Sequence, residues 1–154
     1  MSNSDLVKSS DSDLVKLYSG RILALAADIP HLGRLPAPTG SARKRSPLCG
    51  STVTVDLVLK DGQITDFAQD VKACALGQAS AAILGSVILG CSLAELRVAR
   101  DTLHAMLKDN GPLPAAPFQD YEVLIPAREY KNRHASILLA LDAACDAAAQ
   151  AEAA

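Results

Sequence analysis

Apolar residues recur at three- and four-residue spacing from Asp13 to about Ala27, through Leu14, Leu17, Tyr18, Ile22 and Leu25. That pattern predicts an amphipathic helix, stopped by Pro30. The polar residues 1–10 before it are expected to fray. Residues 30–48 hold four prolines and no acid, and read as a long loop. A loop of that length inside a compact domain is usually functional or mobile. The period then changes to two. Val53, Val55, Leu57 and Leu59 alternate with Thr52, Thr54, Asp56 and Val58, which predicts a half-buried strand over Thr52–Leu59. Asp61-Gly62 marks a hairpin turn, and Gln63–Asp70 returns as a second strand with Ile64 and Phe67 facing inward. Two strands are marginal in water, so a third strand or a helical layer must complete them. The 30–48 loop is the candidate source of that strand, although its pattern does not mark one.

Beyond Cys74 the chain reads as helical. Small residues form a helix over Ala75–Leu89 that Gly90 ends. Ser92 and Glu95 have capping-box spacing and open the next helix, striped by Leu93, Leu96, Leu103 and Leu107. Asn110-Gly111-Pro112 closes that helix, and a Pro/Ala connector runs to Pro117. Phe118–Ile125 fits either a short helix or an extended piece. A last, Ala-rich helix spans about Glu129–Ala149. The order helix, hairpin, helices predicts an α+β fold, with several helices packed on a small antiparallel sheet. Its 154 residues fit one domain over 1–154.

Composition narrows the function classes. The chain is 49% apolar and 21% charged, enough to bury a core. Fifteen Lys and Arg against seventeen Asp and Glu give a net charge of −2, so no global basic field exists for nucleic acid. Two Phe, three Tyr and no Trp leave few rings on which bases could stack. From Ala73 to Ala94 no residue is charged, but Gln78, three serines and three glycines suit a helix inside a small domain better than a membrane span. Four cysteines without close pairing do not form a disulfide framework, and MSNSDLVKSSDSD is too polar for a signal peptide. The expectation is a reduced, cytoplasmic protein.

Two cysteines flank the hairpin. Cys49 ends the loop in Pro47-Leu48-Cys49-Gly50, and Cys74 follows the second strand at a helix start. Because the hairpin folds back on itself, residues 25 apart can meet at one edge of the sheet. A thiol at a helix N-terminus feels the positive end of the dipole, which favours the thiolate that a soft metal, a cluster iron or sulfur transfer requires. The alternative is that both are buried as small hydrophobes. His134, near the start of the last helix, offers a third ligand or a proton carrier; otherwise it is a solvated polar residue. Cys145 lies eleven residues further on, about 16 Å along a helix, and cannot share a site with His134. Cys91 reads as a linker residue, His31 as a loop residue and His104 as a helix-surface residue. The Arg43-Lys44-Arg45 run is either a solvated stretch of loop or a docking point for an acidic partner.

Taken in order, these segments resemble the NifU/IscU-type iron–sulfur cluster assembly scaffolds over about Leu14 to Ala144. The resemblance rests on His31-Leu32-Gly33-Arg34-Leu35, Pro47-Leu48-Cys49-Gly50, the Asp61-Gly62 turn, and Cys74-Ala75-Leu76-Gly77-Gln78-Ala79-Ser80-Ala81. It continues through Ser92-Leu93-Ala94-Glu95 and Pro126-Ala127-Arg128. It implies three antiparallel strands and a solvent-facing site where cysteines hold a transient [2Fe–2S] cluster, iron or zinc. It also implies a cysteine desulfurase as sulfur donor and apo-proteins as acceptors. Cys49 and Cys74 fall on the family's first two cysteines. Ser51 stands where the family has Asp, and His134-Ala135-Ser136-Ile137-Leu138 where it reads His-Cys-Ser-Ile-Leu or Lys-Cys-Ala-Thr-Leu, so the third cysteine is missing. Two thiolates and one imidazole remain, from Cys49, Cys74 and His134, whereas a [2Fe–2S] cluster commonly takes four thiolates.

The expected role is therefore a scaffold or carrier, not an enzyme, that binds neither nucleic acid nor membrane. Three ligands suit zinc with an open position, or a cluster completed by an exogenous thiol. The alternative is a non-assembling relative that docks to a desulfurase and modulates it. A thiol enzyme with Cys74 as nucleophile and His134 as base is a third, weaker reading.

Overall fold

The computed structural model describes residues 19–48 and 50–154. Helix α1 covers Gly20–Ala27, strands β1, β2 and β3 cover Gly40–Arg45, Thr52–Lys60 and Gln63–Lys72, and helices α2 and α3 cover Ala75–Val87 and Leu93–Lys108. A 3₁₀ segment over Gln119–Glu129 leads into α4, Lys131–Ala153. The strands form one antiparallel sheet in the order β1-β2-β3, as the α+β expectation requires.

Within the described residues, the stretch predicted as the first helix is helical over Gly20–Ala27. Ser19 accepts a hydrogen bond from the Ile22 amide at 3.3 Å and caps a helix beginning at Gly20. The expected positions Leu14, Leu17 and Tyr18, and the polar residues 1–10, lie outside the described residues.

In the hairpin, Lys60 pairs with Gln63 across Asp61-Gly62, a two-residue turn with φ of 53° and 77°. Val53, Val55 and Leu57 are buried on one face of β2. Ile64 and Phe67 are three residues apart, which plain alternation would put on opposite faces. Phe67 pairs with Leu57 and Ile64 with Leu59, so Thr65 is an extra residue on β3. That bulge returns Ile64 to the buried face.

The predicted long loop contains the third strand. Gly40–Arg45 pairs with β2 in the register Ser41–Asp56, Arg43–Thr54 and Arg45–Thr52. Its inward positions are Gly40, Ala42 and Lys44, which carry little apolar signal. Helix α4 holds it in place. A Cβ at residue 40 would stand 2.0 Å from the Ala147 carbonyl oxygen, so only glycine lets strand and helix approach this closely. The Ser41 amide donates to Gln150 Oε1 at 2.6 Å, and Lys44 pairs with Asp146 at 2.9 Å. Farther up the loop, the Gln69 amide donates to the His31 carbonyl and the Gly33 amide donates to the Gln69 carbonyl, which fastens His31-Leu32-Gly33 to the other sheet edge.

Helix α4 lies across the inner face of β1 and β2 and also packs against α2 and α3, while α1 packs on α2. The uncharged stretch from Ala73 to Ala94 is not one helix: α2 ends at Val87, and Gly90 turns the chain with φ 89°. Among the described residues no helix is long and apolar enough to cross a membrane. Both arms of the Ser92–Glu95 capping box are made, each at 3.2 Å. Ser92→Ala is expected to cost about 1 kcal/mol, read as a lower urea midpoint with an unchanged slope.

Candidate functional site

Cys74 is the N-cap of α2, where its backbone is extended and it stands at the end of the helix whose first amides have no partner within the helix. It is the one half-buried thiol among the described cysteines; Cys91 and Cys145 are buried. Burial alone would raise the Cys74 thiol. The polar surroundings, chiefly Ser136 and then the Gly77 amide, Arg133 and the Leu76 amide, outweigh it, and the thiol sits below its ordinary value. Burial pushes Cys91 and Cys145 the other way, each up to about 11. Only Cys74 is electrostatically set up as a thiolate among these three.

Cys49 lies outside the described residues, but its neighbours define the rim. The Ser46 amide donates to the Ser51 carbonyl at 2.8 Å, and the Gly50 amide to the Ser46 carbonyl at 2.9 Å, which closes a tight loop after β1. Ser51 is buried, with its Oγ 3.2 Å from Ser136 Oγ, and Ser136 Oγ is 3.4 Å from Cys74 Sγ. A chain of hydroxyls thus links the end of the loop, the start of α4 and the Cys74 thiol. Gly77 makes room for it: a Cβ there would come within 2.6 Å of Ser136 Oγ.

The described contacts of His134 lie on another side of the helix. Residues two apart on an α-helix differ by about 200° around its axis, so His134 and Ser136 leave α4 on opposite flanks. His134 Nε2 lies 2.9 Å from the Ala127 carbonyl and 3.1 Å from that of Arg128, and so donates its hydrogen there. Nδ1 faces Lys108 Nζ at 3.5 Å as an acceptor. The ring is 2% exposed, and burial, helped by Lys108, lowers its pKa against the pull of the Ala127 and Arg128 carbonyls. His134 is a structural bridge from α4 to the 3₁₀ segment. His134→Ala is expected to cost about 2 kcal/mol in stability and to leave metal stoichiometry unchanged by elemental analysis.

Among the described residues, no three His, Cys, Asp or Glu side chains converge as a metal site. Among the described residues, the rim offers the Cys74 thiol and the two buried serine hydroxyls of Ser51 and Ser136. Sequence reasoning missed Ser136. It lies one residue beyond the position aligned with the missing cysteine, and that adjacency was the only signal. His31 lies in the loop as expected, with its ring edge-on to Phe67 at 6.0 Å.

No protein-family model matches the chain, and no curated protein matches it. Solved structures do. A NifU-like protein (N-terminal) from Brucella abortus is 47% identical, with a TM-score of 0.89, over 92% of this chain and 98% of that one. A putative iron–sulfur cluster assembly scaffold protein for the SUF system, from the thermophile Fervidobacterium islandicum AW-1, is 18% identical over 84% of this chain and 94% of that one, with a TM-score of 0.74. A hypothetical protein solved at 2.3 Å shares 20% identity over 88% of this chain and 98% of that one, with a TM-score of 0.77. The last two share the fold. The identity and near-complete coverage of the first, on a three-stranded sheet with a cysteine capping the helix that follows it, establish that this chain belongs to the NifU/IscU-type family.

Proposed function

We propose that the chain is an iron–sulfur cluster scaffold or carrier whose cargo, iron, a [2Fe–2S] cluster or zinc, is held by the thiolates of Cys74 and Cys49. The observation that carries this reading is the contrast among the described thiols. Cys74 is half-buried at a helix N-terminus with Ser136 Oγ 3.4 Å from its sulfur, and its thiol is held below its ordinary value, while Cys91 and Cys145 are buried and raised to about 11. Family membership supports the same role.

Ser51 and Ser136 supply hydroxyls, which are poor ligands for a soft metal beside thiolate. Two protein thiolates leave a cluster short of its usual four ligands, so an exogenous thiol or a partner's residue completes the set. Such an open site suits transfer, because cargo held by fewer protein bonds leaves more readily. It also removes the third cysteine as a persulfide acceptor, so sulfur from a cysteine desulfurase enters through Cys74 or Cys49. The second reading is a non-assembling module that modulates a desulfurase. It draws on the hydroxyls that stand in place of a carboxylate and near the missing thiolate.

Anaerobic reconstitution with ferrous iron and sulfide, with and without glutathione, beside a zinc titration separates the two. The scaffold reading expects charge-transfer absorbance and stoichiometric iron only with the added thiol, or one zinc per chain. Absence of both metals in every condition, with retained binding to a desulfurase, would leave the module reading.

A further inference from the structure

The Arg43-Lys44-Arg45 run is divided by the sheet register. Lys44 turns to the inner side and pairs with Asp146 on α4. Arg43 and Arg45 belong to the solvent face, where β-pairing sets Arg45 in a row with Thr52 and Lys72, and Arg43 in a row with Thr54 and Asp70. Arg34 reaches over the same face from the preceding loop, and Arg34, Arg43 and Lys72 border a concavity of about 450 Å³, with Arg45 beside it in the next row. Four cations from three parts of the sequence gather on one face of a chain whose net charge is −2. Asp56 beneath them is engaged by Arg34, which leaves Asp70 as the acid in the lining. Among the described residues, Arg43, Arg45 and Lys72 make no ion pair.

We infer that this face is a docking surface for an acidic, extended peptide segment of a partner protein. Arg43 and Arg45 are two residues apart on a strand, roughly 6.6 Å, which is the repeat of alternate side chains in an extended peptide. Carboxylates at every second position therefore meet Arg43 and Arg45 in step, and Lys72 and Arg34 flank them. The row of Arg45, Thr52 and Lys72 lies at the cysteine end of the sheet: Ser51 precedes Thr52, and Cys74 is two residues beyond Lys72. A partner seated here has the thiol rim at its edge. The docking inference names a partner for that rim, and in that respect rests on the scaffold reading.

The test uses the full chain and a fluorescent decapeptide of alternating Glu and Ala, with inorganic phosphate as competitor. Anisotropy is expected to show saturable binding that weakens about tenfold from 50 to 300 mM salt. Arg43→Glu is expected to weaken it at least tenfold, whereas Arg97→Glu, the same charge change on the exposed side of α3, stays within twofold. No binding, or equal losses in the two variants, overturns the inference. Displacement of the peptide by equimolar phosphate overturns it in favour of a small-anion site. Cys74→Ser is expected to keep the peptide while losing metal. A wild-type chain that binds peptide but loads no metal refutes the scaffold reading alone; one that loads metal but ignores the peptide refutes the docking face alone.

Discussion

Cys74→Ser is expected to abolish stoichiometric zinc or cluster loading, while Cys145→Ser leaves loading near wild type. The serine keeps the N-cap position and much of the hydrogen bonding but removes the thiolate, so the fold is retained and the ligand is lost. Cys145 is buried on α4 and its thiol is raised to about 11, so its replacement perturbs packing and not cargo. The same contrast is readable without metal. At pH 8 a thiol near 11 is about 0.1% ionised, while Cys74, held below its ordinary value, carries far more thiolate, so Cys74 should react with iodoacetamide much faster than Cys91 or Cys145. Mass-resolved alkylation rates provide the measurement. Comparable rates for the three thiols would remove the observation on which the scaffold reading stands, and equal metal loss in both serine variants would point to damaged folding instead.

The parts of the fold that were legible in sequence are those where burial imposes a period. Val53, Val55 and Leu57 alternate because one face of β2 packs under α4, and Ser92 and Glu95 announce a cap because their side chains bond only to local backbone. Strand β1 escaped because it is held from outside its own sequence. Its inward residues are a glycine fitted against a helix carbonyl, an alanine, and a lysine neutralised by Asp146, none of which writes an apolar alternation. The bulge at Thr65 escaped for a related reason: it shows in sequence only as the odd spacing of Ile64 and Phe67. At the site, the position of Cys74 after the second strand and at a helix start was derivable from the hairpin. The flank on which His134 leaves α4 was not, because a histidine near the start of a helix reads the same in sequence whether it is a ligand, a solvated residue or, as here, a buried bridge to backbone carbonyls.

That same hairpin hides the largest expected loss of stability. Asp56 stands in the outward row of β2, where alternation predicts a solvated side chain, yet it is fully buried beneath the loop. Its carboxylate takes Arg34 Nε at 2.6 Å and a second guanidinium nitrogen at 3.1 Å, the Leu35 amide at 3.1 Å, and the Ser41 hydroxyl. One side chain thus ties the loop, β1 and β2 together. In Asp56→Ala, the half-exposed Arg34 regains water, but the Leu35 amide and Ser41 hydroxyl lose a charged acceptor. The expected cost is about 3 kcal/mol, or a fall in Tm on the order of 10 °C for a chain of this size. Asp56→Asn, which keeps an acceptor but no charge, should fall between. The pH dependence separates charge from shape. The Arg34 hydrogen bonds hold the carboxyl below its ordinary 3.8; burial opposes them, and Ser41 and Leu35 add to them. A carboxylate depressed in the folded state contributes stability that is complete above the unfolded value and is lost as pH falls through the folded one. Urea midpoints of wild type and Asp56→Ala should therefore lie farthest apart near pH 7 and converge below pH about 4. A gap that persists undiminished at pH 3 would mean that Asp56 acts by filling space, and that the loop over the basic face is held by packing instead of charge.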